Sequence, residues 1–273
     1  MDFNLILSKM KVAAKGAGAK IMEVFHEDEK QWQIETKSDD SPVTKADLQS
    51  NAYLKTFLKT EFPEIGYVSE ESALPSYEER QSYEYYFLID PLDGTAAFVK
   101  KSAGFSVNIA LIHKDTPIAG CVYFPITGHI YYALKGEGAF FEKGSMAFVE
   151  KLIAAQFSPK AEGLRVLCSQ KHHNQATQDF IEALNAPQAT AASASLKFMK
   201  IASGEADIYP RFAAGMKEWD VAASQIIVEE AGGIVFDPYT KEKLKYNKRE
   251  LGTPNFIAIG QIIDNTELPF PKK

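Results

Sequence analysis

The sequence predicts a mixed chain, α+β in its first half and α/β in its second, on three observations. Residues 105–112 alternate, with Ser106, Asn108 and Ala110 set against Val107, Ile109 and Leu111, the period of a strand with two unlike faces. The polar link His113-Lys114-Asp115-Thr116-Pro117 joins this run to an apolar stretch at 118–124, a hairpin pattern that makes the first sheet largely antiparallel. From 165 onward, short apolar runs alternate with helical periodicities, the order that builds a layer of strands and helices.

Taken in order, Asp2 caps a first helix whose apolar positions Phe3, Ile6, Met10, Ala13, Ala14, Ala17, Ile21 and Phe25 recur at helical spacing. Gly16 and Gly18 weaken that helix and mark a place where another element packs close. Residues 27–42 are polar and rich in turn formers. Thr44 and Asp47 fit a capping box for a second helix carrying Leu48, Leu54, Phe57 and Leu58, which Pro63 ends. Strands are expected at 65–68, 85–89, 105–112, 118–124 and 129–134, with Ala139-Phe140-Phe141 beyond Gly138. A polar link at 156–163 precedes a strand at 165–168 and helices at 174–184 and 196–202. A strand at 206–212 leads to a helix at 217–231 that Gly232-Gly233 stops, and strands at 234–237 and 256–259 follow. The division expected is 1–157, an α+β unit, and 158–273, an α/β unit.

With 45% hydrophobic and 24% charged residues, the 273-residue chain has material for a sizeable core and is not disordered. A formal net charge of −6 argues against a general nucleic-acid binder. It leaves room for a small anionic substrate, because bound divalent cations reverse the sign of a local site. Cys121 and Cys168 sit in apolar runs and read as buried free thiols of a reducing compartment. Near the N-terminus the apolar runs are broken by Lys9, Lys11 and Lys15, unlike a signal peptide, and no stretch has the length of a membrane span. The expected location is therefore the cytoplasm, with loose association at the inner face of the cell membrane left open.

The chemistry centres on Ile89-Asp90-Pro91-Leu92-Asp93-Gly94-Thr95, after the strand-like Tyr85-Tyr86-Phe87-Leu88. Pro91 has no N–H to give, so it is expected to end ladder pairing and turn the chain. A turn lets Asp90 and Asp93 face one space, whereas three positions along a regular strand fall on opposite faces. Gly94 and Thr95 then stand where a helix start offers N–H groups to an anion. Carboxylates for Mg²⁺ beside donors for phosphate suggest a metal-dependent phosphatase, although Asp-Pro and Asp-Gly are also ordinary turn pairs. Glu70, leaving the strand before, and Asp220, beside Trp219 at a helix start, extend the set. Each has a plainer reading, Glu70 as a solvated acidic turn and Asp220 as a helix cap.

Four segments, Ser41-Pro42-Val43-Thr44-Lys45-Ala46-Asp47, Ser69-Glu70-Glu71, Asp90-Pro91-Leu92-Asp93-Gly94-Thr95 and Trp219-Asp220-Val221-Ala222-Ala223, resemble in order and separation those of the inositol monophosphatase superfamily. These are lithium-sensitive, Mg²⁺-dependent phosphatases. The likeness runs from Ala14 to Ile259 and is strongest to the CysQ branch, the 3′(2′),5′-bisphosphate nucleotidases. Segments 38–44, 105–111, Ser195-Leu196-Lys197-Phe198 and 206–212 carry it. The resemblance implies a layered α-β-α-β-α sandwich. It implies that Glu70, Asp90, Asp93, Asp220 and the Leu92 carbonyl hold two or three Mg²⁺. Asp47 and Thr95, with Glu70, serve the attacking water. Asp93, Gly94, Thr95, Asp220, His172, Ser195, Lys197 and Arg211 contact the substrate.

The implied reaction is hydrolysis of the 3′-phosphate of adenosine 3′,5′-bisphosphate to AMP and phosphate, and of its sulfated relative, by a monomer or homodimer. An inositol or sugar monophosphatase is the alternative, and a catalytically idle nucleotide or metal sensor a third reading. Lys197 and Arg211 discriminate, because a monophosphate has no second phosphate to hold; each also fits a surface cation, and His172 a solvated loop residue. His26, His113 and His129 show no ligand spacing and read as structural. Three departures bear on substrate choice: Ala96-Ala97 where the branch has Lys-Glu, Ser193-Ala194-Ser195 where it has Gly-Ser-Ser, and the distinctive stretch 211–217.

Overall fold

The computed structural model describes residues 1–37, 42–144, 148–169, 174–193, 195–213 and 215–270. Expectations that fall on His172, Ala194 and the segment 38–41 lie outside the described residues. Helix α1 (Phe3–Phe25) is capped by Asp2, whose carboxylate accepts from the Leu5 N–H at 3.0 Å. A Cβ on Gly16 would fall 2.2 Å from the Tyr53 hydroxyl, and one on Gly18 2.4 Å from the Tyr123 ring. Both glycines serve close packing, as expected. A ribbon of β1 (Glu35–Thr36) and β2 (Pro42–Val43) leads to α2 (Lys45–Glu61). Next come β3 (Gly66–Ser69), α3 (Tyr77–Gln81), β4 (Tyr85–Asp93) and α4 (Thr95–Val99). The meander β5 (Ser106–His113), β6 (Thr116–Phe124), β7 (His129–Leu134), β8 (Gly138–Lys143) and β9 (Val149–Lys151) follows. After β10 (Gln156–Phe157) stand β11 (Arg165–Cys168), α5 (Gln175–Glu182), β12 (Gln188–Ala191) and α6 (Leu196–Ala202). The chain continues through β13 (Ile208–Arg211), α7 (Glu218–Glu230), β14 (Ile234–Phe236), β15 (Phe256–Ile259) and β16 (Gln261–Ile262).

Strands β3 to β9 form one sheet in chain order, parallel at β3–β4 and antiparallel thereafter. A second sheet has the order β12-β11-β13-β15-β14, parallel among its first three strands and antiparallel at β15. Side-chain alternation divides the interior between them. Phe87 and Ile89 of β4, with Val107, Ile109 and Leu111 of β5, face α1 and α2. Tyr86, Leu88, Ala110 and Ile112 face α6, α7 and the inner side of the second sheet, which sends in Tyr209, Phe256 and Ala258. Ile208, Ile257 and Ile259 point the other way, onto Phe180 and Leu184 at α5. The result is the layered α-β-α-β-α sandwich, the central strands of each sheet buried on both faces.

Two local expectations change. Strand β4 does not end at Pro91: pairing lapses after Asp90↔Asn108 and resumes at Asp93↔Ser106, so the proline interrupts the ladder. Strand β12 lacked any sequence signal, because Gln188 and Thr190 alternate with alanines and all four residues are exposed; only its parallel pairing with β11 defines it. Cys121 and Cys168 are free and buried. Among the described residues, no helix is long and apolar enough to cross a membrane.

Candidate active site

Three backbone features bring the acids together. First, β3 and β4 run parallel with Ser69 opposite Ile89, so Glu70 and Asp90 leave neighbouring strands at the same end. Second, the lapse at Pro91 sets two residues of β4, Pro91 and Leu92, against one of β5, Val107, a bulge that undoes the strand alternation and turns Asp93 into the cleft Asp90 also lines. The bulge is fixed from two sides. Ser50 donates to the Pro91 carbonyl at 2.7 Å, and the Leu92 N–H donates to Asp90 at 3.0 Å. Third, α7 carries Asp220 in its first turn, where one carboxylate oxygen accepts from the Lys217 N–H at 2.8 Å. Carboxylate oxygens of Glu70, Asp90 and Asp220 then lie within 4.8 Å of one another.

Asp47 does two jobs with two oxygens. Oδ2 accepts from the Thr44 N–H at 2.8 Å and the Thr44 hydroxyl at 2.7 Å, completing the capping box of α2. Oδ1 accepts from the Thr95 hydroxyl at 2.9 Å. Thr95 also lies 3.2 Å from the Leu92 carbonyl. Gly94 precedes it at φ +88°, a left-handed conformation at the turn from β4 into α4.

Asp93 is held from across the cleft. Its Oδ2 accepts from the Ser195 N–H at 3.0 Å, the Ser195 hydroxyl at 2.7 Å and Asn108 at 3.3 Å. Ser195 is thus buried and engaged with Asp93, and it does not line the cleft. The cleft, of about 770 Å³, is walled by the acids, Gly94, Thr95, Ala96 and Ala97 on one side and by Lys197 and Arg211 on the other. Both cations are buried, at 4% and 6% exposure, which removes the surface-charge reading for each. Lys197 donates to the Ala192 carbonyl at 3.2 Å, and its ammonium sits 5.0 Å from the centre of the Tyr209 ring. Burial lowers its pKa to about 8, Asp93 opposing.

Asn108, Ser106 and Lys37 are the site residues that sequence reasoning missed. Asn108 bridges Asp93 and Ser195, donating to the latter at 2.9 Å, and Ser106 donates to Asn108 at 3.0 Å. Their signal was present, since polar alternates in a strand with both faces buried must face something polar. Lys37 donates to Glu70 at 2.7 Å and also to Glu71. His129, expected to be structural only, lines the cleft while meeting Phe141 edge-on at 5.1 Å.

The acids fit a divalent cation. Burial pushes Asp90 well above the usual carboxylate range, and Glu70, Asp93, Asp220 and Asp47 add repulsion. Asp220 is pushed up likewise, by burial and then by Asp93 and Glu70. Glu70 is raised by burial against the pull of Lys37. A desolvated, all-oxygen donor set whose members repel one another is what a hard cation stabilises.

A layered α-β-α-β-α sandwich with such acids at the end of a parallel strand pair is the pattern of the inositol monophosphatase family, and the chain belongs to it: that family matches residues 5–265. Within the family, it is 36% identical over 245 residues to the 3′(2′),5′-bisphosphate nucleotidase CysQ of Shigella flexneri, spanning 90% of this chain and 95% of that protein. CysQ of Salmonella typhimurium is 37% identical over 246 residues, at the same two coverages. The crystal structure of CysQ from Bacteroides thetaiotaomicron superposes with a TM-score of 0.80 at 29% identity, covering 93% of this chain and 97% of that one.

Proposed function

We propose that the chain hydrolyses the 3′-phosphate of adenosine 3′,5′-bisphosphate to AMP and phosphate, and accepts the sulfated analogue, with magnesium in the acid cluster. The observation that carries this reading is one cleft with a carboxylate cluster on one wall and two buried cations, Lys197 and Arg211, on the other. A monophosphate sugar uses only the first wall, whereas a second phosphate gives the buried ammonium of Lys197 an anion to meet. The similarity to the CysQ nucleotidases supports the same choice.

Glu70, Asp90, Asp93, Asp220 and the Leu92 carbonyl are the groups that would hold the metal. Magnesium bound there supplies positive charge against the ester's phosphate and acidifies water. The remaining steps belong to the chain. Thr95 passes its hydroxyl proton to Asp47 and takes one from the attacking water, because Asp47 Oδ1 already accepts from it at 2.9 Å. Burial raises the pKa of Asp47, against hydrogen bonds from Thr44 and Thr95, which favours holding that proton. Ser195 and Asn108 keep Asp93 from rotating. Lys197 and Arg211 take the second phosphate, with the Gly94–Thr95 backbone on the first. The chain works as a cytoplasmic enzyme of two units meeting at about residue 157.

The test is phosphate release with Mg²⁺ from adenosine 3′,5′-bisphosphate, inositol 1-phosphate and fructose 1,6-bisphosphate, with and without Li⁺. A preference for the nucleotide, inhibited by Li⁺, is expected; a preference for either sugar would overturn the substrate assignment.

A further inference from the structure

Of the three carboxylates that meet within 4.8 Å, Asp220 alone comes from the second half of the chain. Its place depends on what holds the start of α7. Two residues before it, Glu218 is fully buried, at 0% exposure. Its carboxylate accepts from the Asn247 N–H at 2.8 Å, the Lys248 N–H at 3.2 Å and the Lys248 ammonium at 3.2 Å. The same loop is pinned again where the Glu218 N–H donates to the Leu251 carbonyl at 2.8 Å and Thr253 N–H to the Met216 carbonyl at 2.9 Å. From the first half of the chain, the buried Arg80 of α3 reaches into this loop. It donates to Asn247 Oδ1 at 3.2 Å and to the carbonyls of Lys248 at 3.0 Å and Arg249 at 3.2 Å. Asn247 donates back to the Arg80 carbonyl at 2.9 Å. Asn247 holds φ +60°, a conformation that asparagine tolerates better than most residues, and its N–H and that of Lys248 both reach the Glu218 carboxylate.

We propose that Arg80, Asn247 and Glu218 form a positioning clamp that joins the two halves of the chain behind the cleft and sets the place of Asp220, and with it the affinity of the acid cluster for a divalent cation. None of the three lines the cleft. The inference rests on the metal reading above. Its physical basis is that a ligand carboxylate is only as well placed as the groups that hold its backbone; losing a partner bonded directly to a ligand typically costs about 10-fold to 100-fold in metal affinity, and a clamp one step further out falls at the lower end.

The test measures Mn²⁺ binding to the purified full chain by electron paramagnetic resonance, and Mg²⁺ by competition, at 25 °C. Glu218→Gln keeps the volume but turns an amide NH₂ toward a backbone N–H; Arg80→Met breaks the clamp at its other end. Each is expected to weaken Mn²⁺ binding about 10-fold. Saturating Mg²⁺ restores kcat, and the double variant does little more than either single. A purely structural role would lower the melting temperature yet leave the binding constant unmoved, and that result in Arg80→Met overturns the clamp. Asp220→Asn separates the two readings. If it weakens Mn²⁺ binding while both clamp variants bind normally, the clamp is wrong and the metal site stands; if it leaves Mn²⁺ binding unchanged, the metal site is wrong and the clamp falls with it.

Discussion

Lys197 offers a test in which stability and specificity move in opposite directions. It is 4% exposed, and burial lowers its pKa from 10.5 to about 8, with Asp93 pulling the other way. A drop of that size corresponds to about 3 kcal/mol of cost for keeping the ammonium charged where it sits. Lys197→Met keeps the stem's packing and removes the charge. Part of the gain is lost with the bond to the Ala192 carbonyl and the contact with Tyr209, so a net stabilisation on the order of 1–3 kcal/mol is expected. That raises the melting temperature by several degrees. The pH dependence has a definite sign. Between about 8 and 10.5 the unfolded chain holds a proton on Lys197 that the folded chain has released, so wild-type stability rises with pH there. The advantage of Lys197→Met is therefore full below pH 8 and fades toward pH 10.5.

Activity moves the other way. Removing one partner of a buried charge pair costs about 2 kcal/mol or more, so KM for adenosine 3′,5′-bisphosphate should rise about 30-fold or more. KM for a simple phosphate monoester should barely change. In the wild type, kcat/KM for the bisphosphate should fall as pH passes about 8, and that limb should vanish in Lys197→Met. Calorimetric melts from pH 7 to 10, with steady-state kinetics on both substrates, decide the matter. A destabilised variant, or one that loses both substrates equally, would refute the assignment of Lys197 to the second phosphate.

Asp47→Asn keeps an acceptor for the α2 cap but cannot take a proton from Thr95; kcat should fall about 10²-fold to 10⁴-fold with KM little changed and the melting curve close to wild type. Asp93→Asn should abolish turnover while circular dichroism stays native, because its neighbours Ser195 and Asn108 retain an acceptor. Lys37→Met removes the cation that now neutralises Glu70 and Glu71. The metal-free protein should melt lower and gain more on adding Mg²⁺ than the wild type does; an equal gain would show that Lys37 and the metal do not compete for Glu70.

What the sequence made legible was local, and what it hid was non-local. Asp47 and Asp220 could each be seen as acids in the first turn of a helix, and the structure keeps that reading: each spends one oxygen on its own helix start. Local chemistry thus explains these aspartates without the cleft, so a cap reading and a site reading are not alternatives. Asp90 and Asp93 were a different case: regular strand alternation would set them on opposite faces, and the turn expected at Pro91 was the reason to put them together. Only the interruption at Pro91, two residues against one, puts both in one space. A proline announces that something must give, but whether the ladder ends or resumes depends on Ser106 and Asn108 across the sheet. Lys37 had no signal, standing alone in a polar stretch, and neither did the burial of Lys197 and Arg211, which follows from the second sheet closing over the first. The acids themselves meet through pairings no window of sequence contains: Glu70 beside Asp90 because β3 and β4 are parallel, and Asp220 beside both because α7 lies across the inner face of the large sheet. Four acids drawn from strand ends, a bulge and a helix start have no shared local reason to be acidic, and a common charge to bind is the reason they share.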